Sequence, residues 1–203
     1  MQFQIFFTII FSLFQIIYCH SHLVSSPNGT LFYYAYGSNL LAKRLHLHNP
    51  TAVFYDIAKL ENYRLDFNMY NEPWNGAVST IVEDNEEYVW GAVWTLGMDQ
   101  LHHLDQQEGV DQGWYFAKNV TVTLPSGHQL VARTYEETHN PNKTTNGTDL
   151  PPERRPSNTY LEVIALGAIE CHFPPEYIGF LFSFPTNGKM ATKERRDELG
   201  YPF

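Results

Sequence analysis

Apolar positions along the chain fall into short runs punctuated by Gly, Pro and Asn, and their spacing predicts strands and helices in mixed order. Residues 31–36 (Leu-Phe-Tyr-Tyr-Ala-Tyr) form an uninterrupted apolar and aromatic run of strand length that stops at Gly37. Ser38 or Asn39 is then placed to cap a short helix over 40–47, with Leu40, Leu41, Leu45 and Leu47 on one broad face, and Pro50 breaks it. Extended segments follow around 53–67, 77–82 and 88–96. From Met98 the spacing turns helical: Met98, Leu101 and Leu104 share a stripe, Glu108 closes the helix and Gly109 stops it. Two more strands, near 114–124 and 128–135, are joined by Pro125-Ser126-Gly127. In the first of them Val120, Val122 and Leu124 alternate with Asn119, Thr121 and Thr123, which puts Asn119 on a solvent face. Residues 136–156, rich in Thr, Asn and Pro, read as a long surface loop, and 157–170 as a helix. Strands outnumber helices without alternating strictly with them. The expected class is therefore α+β, a curved sheet or barrel with a few helices outside, and no repeat or second core-sized segment divides it.

The amino-terminal pattern is different in kind. Residues 1–18 carry no charged side chain and run almost entirely through Phe, Ile and Leu, which fits a secretory signal peptide or a short signal anchor. Cys19 and Ser21 supply small residues for cleavage after Ser21, so the expected organisation is a 1–21 leader and a single domain over 22–203. Four Asn-x-Ser/Thr sequons follow, at Asn28, Asn119, Asn142 and Asn146. With 14 Asn and 24 Ser or Thr in 203 residues, chance supplies about two. Leader and sequons together predict a secreted glycoprotein with no stable membrane anchor once the leader is gone. Cleavage removes Cys19 and leaves one thiol, Cys171, so an intramolecular disulfide is excluded.

Charge narrows the partners. Thirteen Lys and Arg against 22 Asp and Glu give a net charge of -9, a field that repels phosphate backbones and argues against nucleic-acid binding. The histidine pairs His46/His48 and His102/His103 lack the i, i+4 spacing that puts two imidazoles on one helical face, and no H-E-x-x-H occurs, so no metal site is expected.

Two places stand out for chemistry. The turn Tyr36-Gly37-Ser38-Asn39-Leu40 leads sharply from strand to helix and exposes N–H groups able to hold an anion, although its spacing is neither a Walker loop nor a nucleophile elbow, and an ordinary capped turn fits the pattern as well. Glu108 sits in a last helical turn, where the helix dipole and Asp105 both raise its proton affinity, and an exposed helix-end glutamate is the plain alternative.

These pieces also occur in a specific order. Residues 32–40 with the basic helix after them, then Val89-Trp90-Gly91-Ala92-Val93-Trp94, then Leu104-Asp105-Gln106-Gln107-Glu108-Gly109-Val110, resemble the γ-glutamylcyclotransferase family, with a similarity running from about residue 31 to 180. The resemblance implies a small mixed β-barrel flanked by helices and an enzyme that converts a γ-glutamyl amino acid to 5-oxoproline and the free amino acid without metal or cofactor. It implies that Glu108 is the acid/base carboxylate, that Tyr36, Gly37, Ser38, Asn39 and Leu40 cradle the substrate, and that Tyr115, Tyr135 and Tyr160 line the pocket. It leaves a homodimer open. The implied chemistry suits these parts: the substrate's own α-amine closes a five-membered ring on the γ-carbonyl, one carboxylate moves the protons, and the turn's N–H groups meet either the developing oxyanion or the fixed α-carboxylate.

The leader departs from the family's familiar intracellular members, and the 136–156 loop ahead of Tyr160 is longer than the family pattern. Small γ-glutamyl dipeptides are the expected substrates. Two alternatives stand beside this reading: an enzyme for γ-glutamyl-ε-lysine, and a secreted binding protein that keeps the fold without turnover.

Overall fold

A computed structural model describes residues 23–144 and 148–203, so the expected 1–21 leader and Asn146 of the fourth sequon lie outside the described residues. Six strands, β1 (Leu23–Val24), β2 (Thr30–Ala35), β3 (Val53–Asn71), β4 (Gly76–Gly97), β5 (Tyr115–Thr123) and β6 (Gln129–Glu137), form one sheet. β2 runs antiparallel to β4 from Thr30↔Gly97 to Ala35↔Ala92 and touches β6 in parallel at Tyr33↔Arg133. β4 pairs with β3, β3 meets β5 at Lys59↔Thr123, and β5 pairs with β6, which closes a five-stranded barrel; β1 adds a short parallel extension to β6. Closure removes the exposed sheet edges that an open curved sheet would leave.

The three extended segments of the sequence pattern are two long strands. β3 and β4 make one hairpin over a turn in which Asn75 N–H bonds Glu72 O, and its register slips near 54/56, 61/63 and 67/70, which lets strands of 19 and 22 residues bend around the barrel. The acidic stretch 83–87 interrupts the apolar pattern but stays extended, because ladder pairing to β3 on either side holds it. The core is apolar and aromatic, with Tyr34, Phe67, Ile81, Leu96, Leu130 and Ile164 fully buried.

Helices cover the ends. Residues 38–40 make one 3₁₀ turn, followed by α1 (Ala42–His46); α2 (Leu101–Gln107) precedes β5. Leu104 is buried, whereas Met98 is exposed and Leu101 only half-buried, so the expected 98/101/104 stripe narrows to one anchor because residues 98–100 form a 3₁₀ turn. α3 (Asn158–Glu170) begins as the pattern suggests, with Ser157 Oγ accepting the Tyr160 N–H. Two further helices that the sequence reading did not single out, α4 (Pro175–Phe182) and α5 (Lys193–Leu199), complete the fold. Among the described residues no helix is long and apolar enough to cross a membrane.

The expected 136–156 loop starts later. Glu136 and Glu137 belong to β6 and are buried, since Lys118 Nζ meets Glu136 at 2.8 Å and Asn68 and the Met69 N–H bond Glu137. The described residues on either side of 145–147 are strapped to the barrel: Arg64 donates to Pro141 O, Asn68 to His139 O, and Arg154 pairs with Asp66 and with Phe67 O.

α3 lies directly on the 38–41 turn, and Gly167 permits that approach. A Cβ there would stand 2.4 Å from Leu41 N and 2.5 Å from Leu40 C, both backbone atoms that cannot swing away. Gly167→Val should therefore cost roughly 2 kcal/mol or more of stability, read as a lower urea midpoint at unchanged slope. A midpoint equal to wild type would mean that helix and turn separate freely.

Candidate active site

The site forms where β2 leaves the barrel. Tyr36 and Gly37 follow the strand, and the chain tightens at once into the 38–40 turn, in which Leu40 N–H bonds Gly37 O at 3.0 Å. The N–H groups of Ser38 and Asn39 come earlier in that turn and have no intrahelical acceptor. Gly37 is needed for space: a Cβ would lie 2.3 Å from Ser79 Oγ, so β4 sits hard against the turn. Neither Ser38 nor Asn39 caps the helix, contrary to the sequence expectation, because α1 starts after Leu41 without a side-chain cap.

Asn39 instead points across the site. Its Nδ2 donates to Tyr33 OH at 2.9 Å and to Glu108 Oε1 at 3.1 Å, and its Oδ1 accepts from Gln107 Nε2 at 3.2 Å. Gln107 also donates to Glu108 Oε1 and accepts from Asn49 Nδ2, itself on the segment after α1. Two amides thus hold one oxygen of Glu108, and among the described residues no hydrogen bond ties down Oε2. Glu108 is the C-cap of α2, and Gly109 follows with φ 65°.

Glu108, Tyr36, Gly37, Ser38, Asn39, Tyr115, Tyr135 and Tyr160 line one cavity of about 50 Å³, together with Tyr33 and Ser79. Leu40 lies outside the lining; fully buried, it serves as the apolar seat of the turn beneath α3. The tyrosine hydroxyls are all engaged. Tyr36 donates to Tyr135 O, Tyr115 to Ser79 O, Tyr135 to Asp105 Oδ1, and Tyr160 OH bonds both N and Oγ of Ser79. Burial pushes the phenols of Tyr33, Tyr36, Tyr115 and Tyr160 upward, so the wall is neutral and polar.

The sequence reading missed Tyr33 and Ser79. Tyr33 is hidden in an aromatic run where nothing separates pocket tyrosines from core ones. Ser79 carried a signal, as a hydroxyl inside the apolar 77–82 segment. A third omission is Arg44 on α1, buried close enough to Glu108 to oppose its rise in proton affinity.

Glu108 has a pKa raised to about 7. Burial is the leading cause, opposed by Arg44 and by the Gln107 and Asn39 hydrogen bonds, and the Asp105 charge that the spacing brought forward contributes least. A carboxyl poised there can both take and return a proton near neutrality. Among the described residues no cluster of His, Cys, Asp and Glu converges as a metal site.

Fold and site define a class of small closed-barrel proteins that bury an amide-held carboxylate beside an open turn. A model of the AIG2-like family matches residues 88–181. The chain is 40% identical over 176 residues to a γ-glutamylcyclotransferase of Bos taurus, covering 83% of this chain and 88% of that protein, and 37% identical over 163 residues to one of Mus musculus, covering 78% and 80%. A solved γ-glutamyl cyclotransferase structure superposes with a TM-score of 0.74 at 33% identity, covering 84% of this chain and 98% of that one. The chain belongs to the γ-glutamylcyclotransferase family.

The raised carboxyl pKa carries a stability consequence. Between the unfolded value near 4.5 and the folded value near 7, the folded chain binds more protons at Glu108 than the unfolded one, so stability falls as pH rises through that window. The cost is complete above pH 7 and amounts to at most about 3 kcal/mol. Glu108→Gln should therefore be more stable than wild type at pH 8, with a margin that shrinks steadily to pH 5. Urea unfolding at the two pH values tests this, and a margin independent of pH would show that the carboxylate is not held in a desolvated site. Glu137, whose pKa burial also raises to about 7, is present in both proteins and cancels.

Proposed function

We infer that this chain is a γ-glutamylcyclotransferase, which releases 5-oxoproline and a free amino acid from a γ-glutamyl amino acid. The observation that carries the reading is Glu108: Oε1 clamped by Asn39 and Gln107, Oε2 unengaged, and a pKa near 7, all facing the open turn across one cavity. The substrate's α-amine attacks its own γ-carbonyl. The new bond joins that nitrogen to the γ-carbon, the old amide C–N bond breaks, and the proton lost by the amine reaches the leaving nitrogen. Glu108 serves both transfers, since its Oε2 lies free to accept from the ammonium and its pKa permits donation to the amide nitrogen. No enzyme nucleophile is required, because ring closure supplies proximity worth effective molarities of about 10⁵ to 10⁸ M. Ser38 and Asn39 N–H groups supply donors for negative charge on the substrate, as does the Tyr33 hydroxyl, which accepts from Asn39 and keeps its own proton to donate.

Turnover should vanish in Glu108→Gln while the fold persists, and wild-type kcat/KM should fall about tenfold per pH unit below an ionisation near 7. Following 5-oxoproline release across pH checks both, and near-normal release by a folded Glu108→Gln would move the acid/base role elsewhere. N-acetylation of the γ-glutamyl amine should abolish reaction. Among free substrates, γ-glutamyl-alanine should exceed glutathione and γ-glutamyl-ε-lysine in kcat/KM by at least about tenfold, tested by side-by-side kinetics. A preference for γ-glutamyl-ε-lysine would turn the assignment to cross-linked peptide fragments.

We also propose that residues 1–21 are a removed leader and that the enzyme works outside the cell. The apolar leader and the exposure of Asn28, Asn119 and Asn142 support this. The mature chain's one thiol suits an oxidising compartment: Cys171 is buried, its Sγ–H donates to Leu40 O, and burial pushes its pKa up to about 12. Intact-mass analysis before and after glycan removal, following expression in a eukaryotic secretory host, should find an amino terminus near His22 and glycan on at least one of Asn119, Asn142 or Asn146. A cytosolic, unglycosylated product would sink the proposal.

A further inference from the structure

Arg44 is only 6% exposed, yet among the described residues its Nε and Nη1 have no hydrogen-bond partner. A buried guanidinium stays charged, and leaving it unpaired is costly enough that native structures rarely do so without a use. Arg195, on α5, shares its surroundings. It lies over the Trp74 ring with its guanidinium carbon 5.1 Å from the centroid, and its Nη1 reaches Glu198, but its Nε is likewise buried without a partner. Each cation lowers the comfort of the other, and burial together with Arg195 pushes the Arg44 pKa down.

Both arginines line a groove of about 260 Å³ that meets the catalytic cavity at Ser38, Glu108, Tyr115 and Tyr160. They also line its neighbour, of about 320 Å³, together with His48 and His103. Among the described residues, Glu108 is the one acidic side chain lining either groove. Two arginine side chains with buried donors that lack partners among the described residues, one of the two nine-tenths buried, therefore line space that begins at the acid/base carboxyl, and of the two only Arg195 has a carboxylate, Glu198, paired with it.

We propose that Arg44 and Arg195 form a carboxylate subsite on the leaving side of Glu108, which takes the α-carboxylate of the amino acid being released. The proposal rests on the cyclotransferase reading and adds to it what the leaving group must be. In a γ-glutamyl α-amino acid the carboxylate carbon stands two bonds from the scissile nitrogen, so its cationic partner must stand beside the residue that protonates that nitrogen, as Arg44 does. In γ-glutamyl-ε-lysine the carboxylate is six bonds away, and in glutathione five. The planar fork of arginine suits a carboxylate, and filling it removes the cost of an unpaired buried charge at the moment the substrate is seated. Rejection of a ligand lacking the group follows, because the guanidinium would stay unpaired.

The decisive comparison is γ-glutamyl-alanine against γ-glutamyl-alaninamide, which differ in that carboxylate alone. Wild type should favour the acid by at least about tenfold in kcat/KM, and Arg195→Gln should bring the acid-to-amide ratio down toward one, as should Arg44→Gln. A role confined to holding the fold or tuning Glu108 would slow both substrates alike and leave the ratio where it was, which would overturn the subsite. Arg195 is on the outer helix, so if Arg44→Gln fails to fold, the Arg195→Gln ratio decides. Equal turnover of acid and amide by wild type would overturn the subsite while leaving the cyclotransferase reading intact. Absence of 5-oxoproline from both substrates would overturn both readings.

Discussion

The carboxylate of Glu108 is buried against amides, and the arrangement of the site follows from that constraint. A carboxyl taken from water resists ionisation, and a single strong cation pairing would reverse the effect and fix it as a permanent anion. Here Asn39 and Gln107 hold one oxygen through neutral donors, while Arg44 acts from farther off. The balance leaves the group near 7. It also joins three pieces of chain: α2 supplies Glu108 and Gln107, the turn after β2 supplies Asn39, and the segment after α1 supplies Asn49.

The barrel makes this affordable in structural terms. Closing β2, β4, β3, β5 and β6 on one another satisfies the backbone internally, so polar side chains near one end can be aimed inward without leaving an edge unpaired. β2 and β4 supply Tyr33 and Ser79, β5 and β6 supply Tyr115 and Tyr135, and α3 adds Tyr160 from outside. Each hydroxyl reaches an acceptor or donor on a different element, so the pocket wall is also a set of ties between strands. Such a wall is rigid, and rigidity is what ring closure needs, since the substrate's two reacting ends must be held in attacking geometry.

The site works against the stability of the fold. Glu108, Glu137 and Arg44 are buried charges or near-charges whose cost the apolar core and the barrel ladder offset. Sequence rules that favour stability fail at these places, and two of them, Glu108 and Arg44, line one groove. Glu137, held by Asn68 and the Met69 N–H behind Tyr115, supports the wall from its back.

Local sequence determined the elements whose signals are local. The aromatic run before Gly37, the alternation from Val120 to Leu124, the stop at Gly109 and the Ser157 cap each fix one piece of chain through its own backbone and neighbours, and the motif order was enough to place the family. Tertiary structure decided what depends on partners distant in sequence. It extended β3 and β4 through an acidic stretch, drew Glu136 and Glu137 into a strand, sent Asn39 to Glu108 instead of to a helix cap, and turned Leu40 into a seat for α3. Tyr33 and Arg44 were invisible for the same reason: a tyrosine in an aromatic run and an arginine on a short helix read as core and surface until the chain folds and shows what stands opposite them. Periodicity reports which way a side chain points along its own element, whereas burial and the pKa values that follow from it are set by atoms tens of residues away.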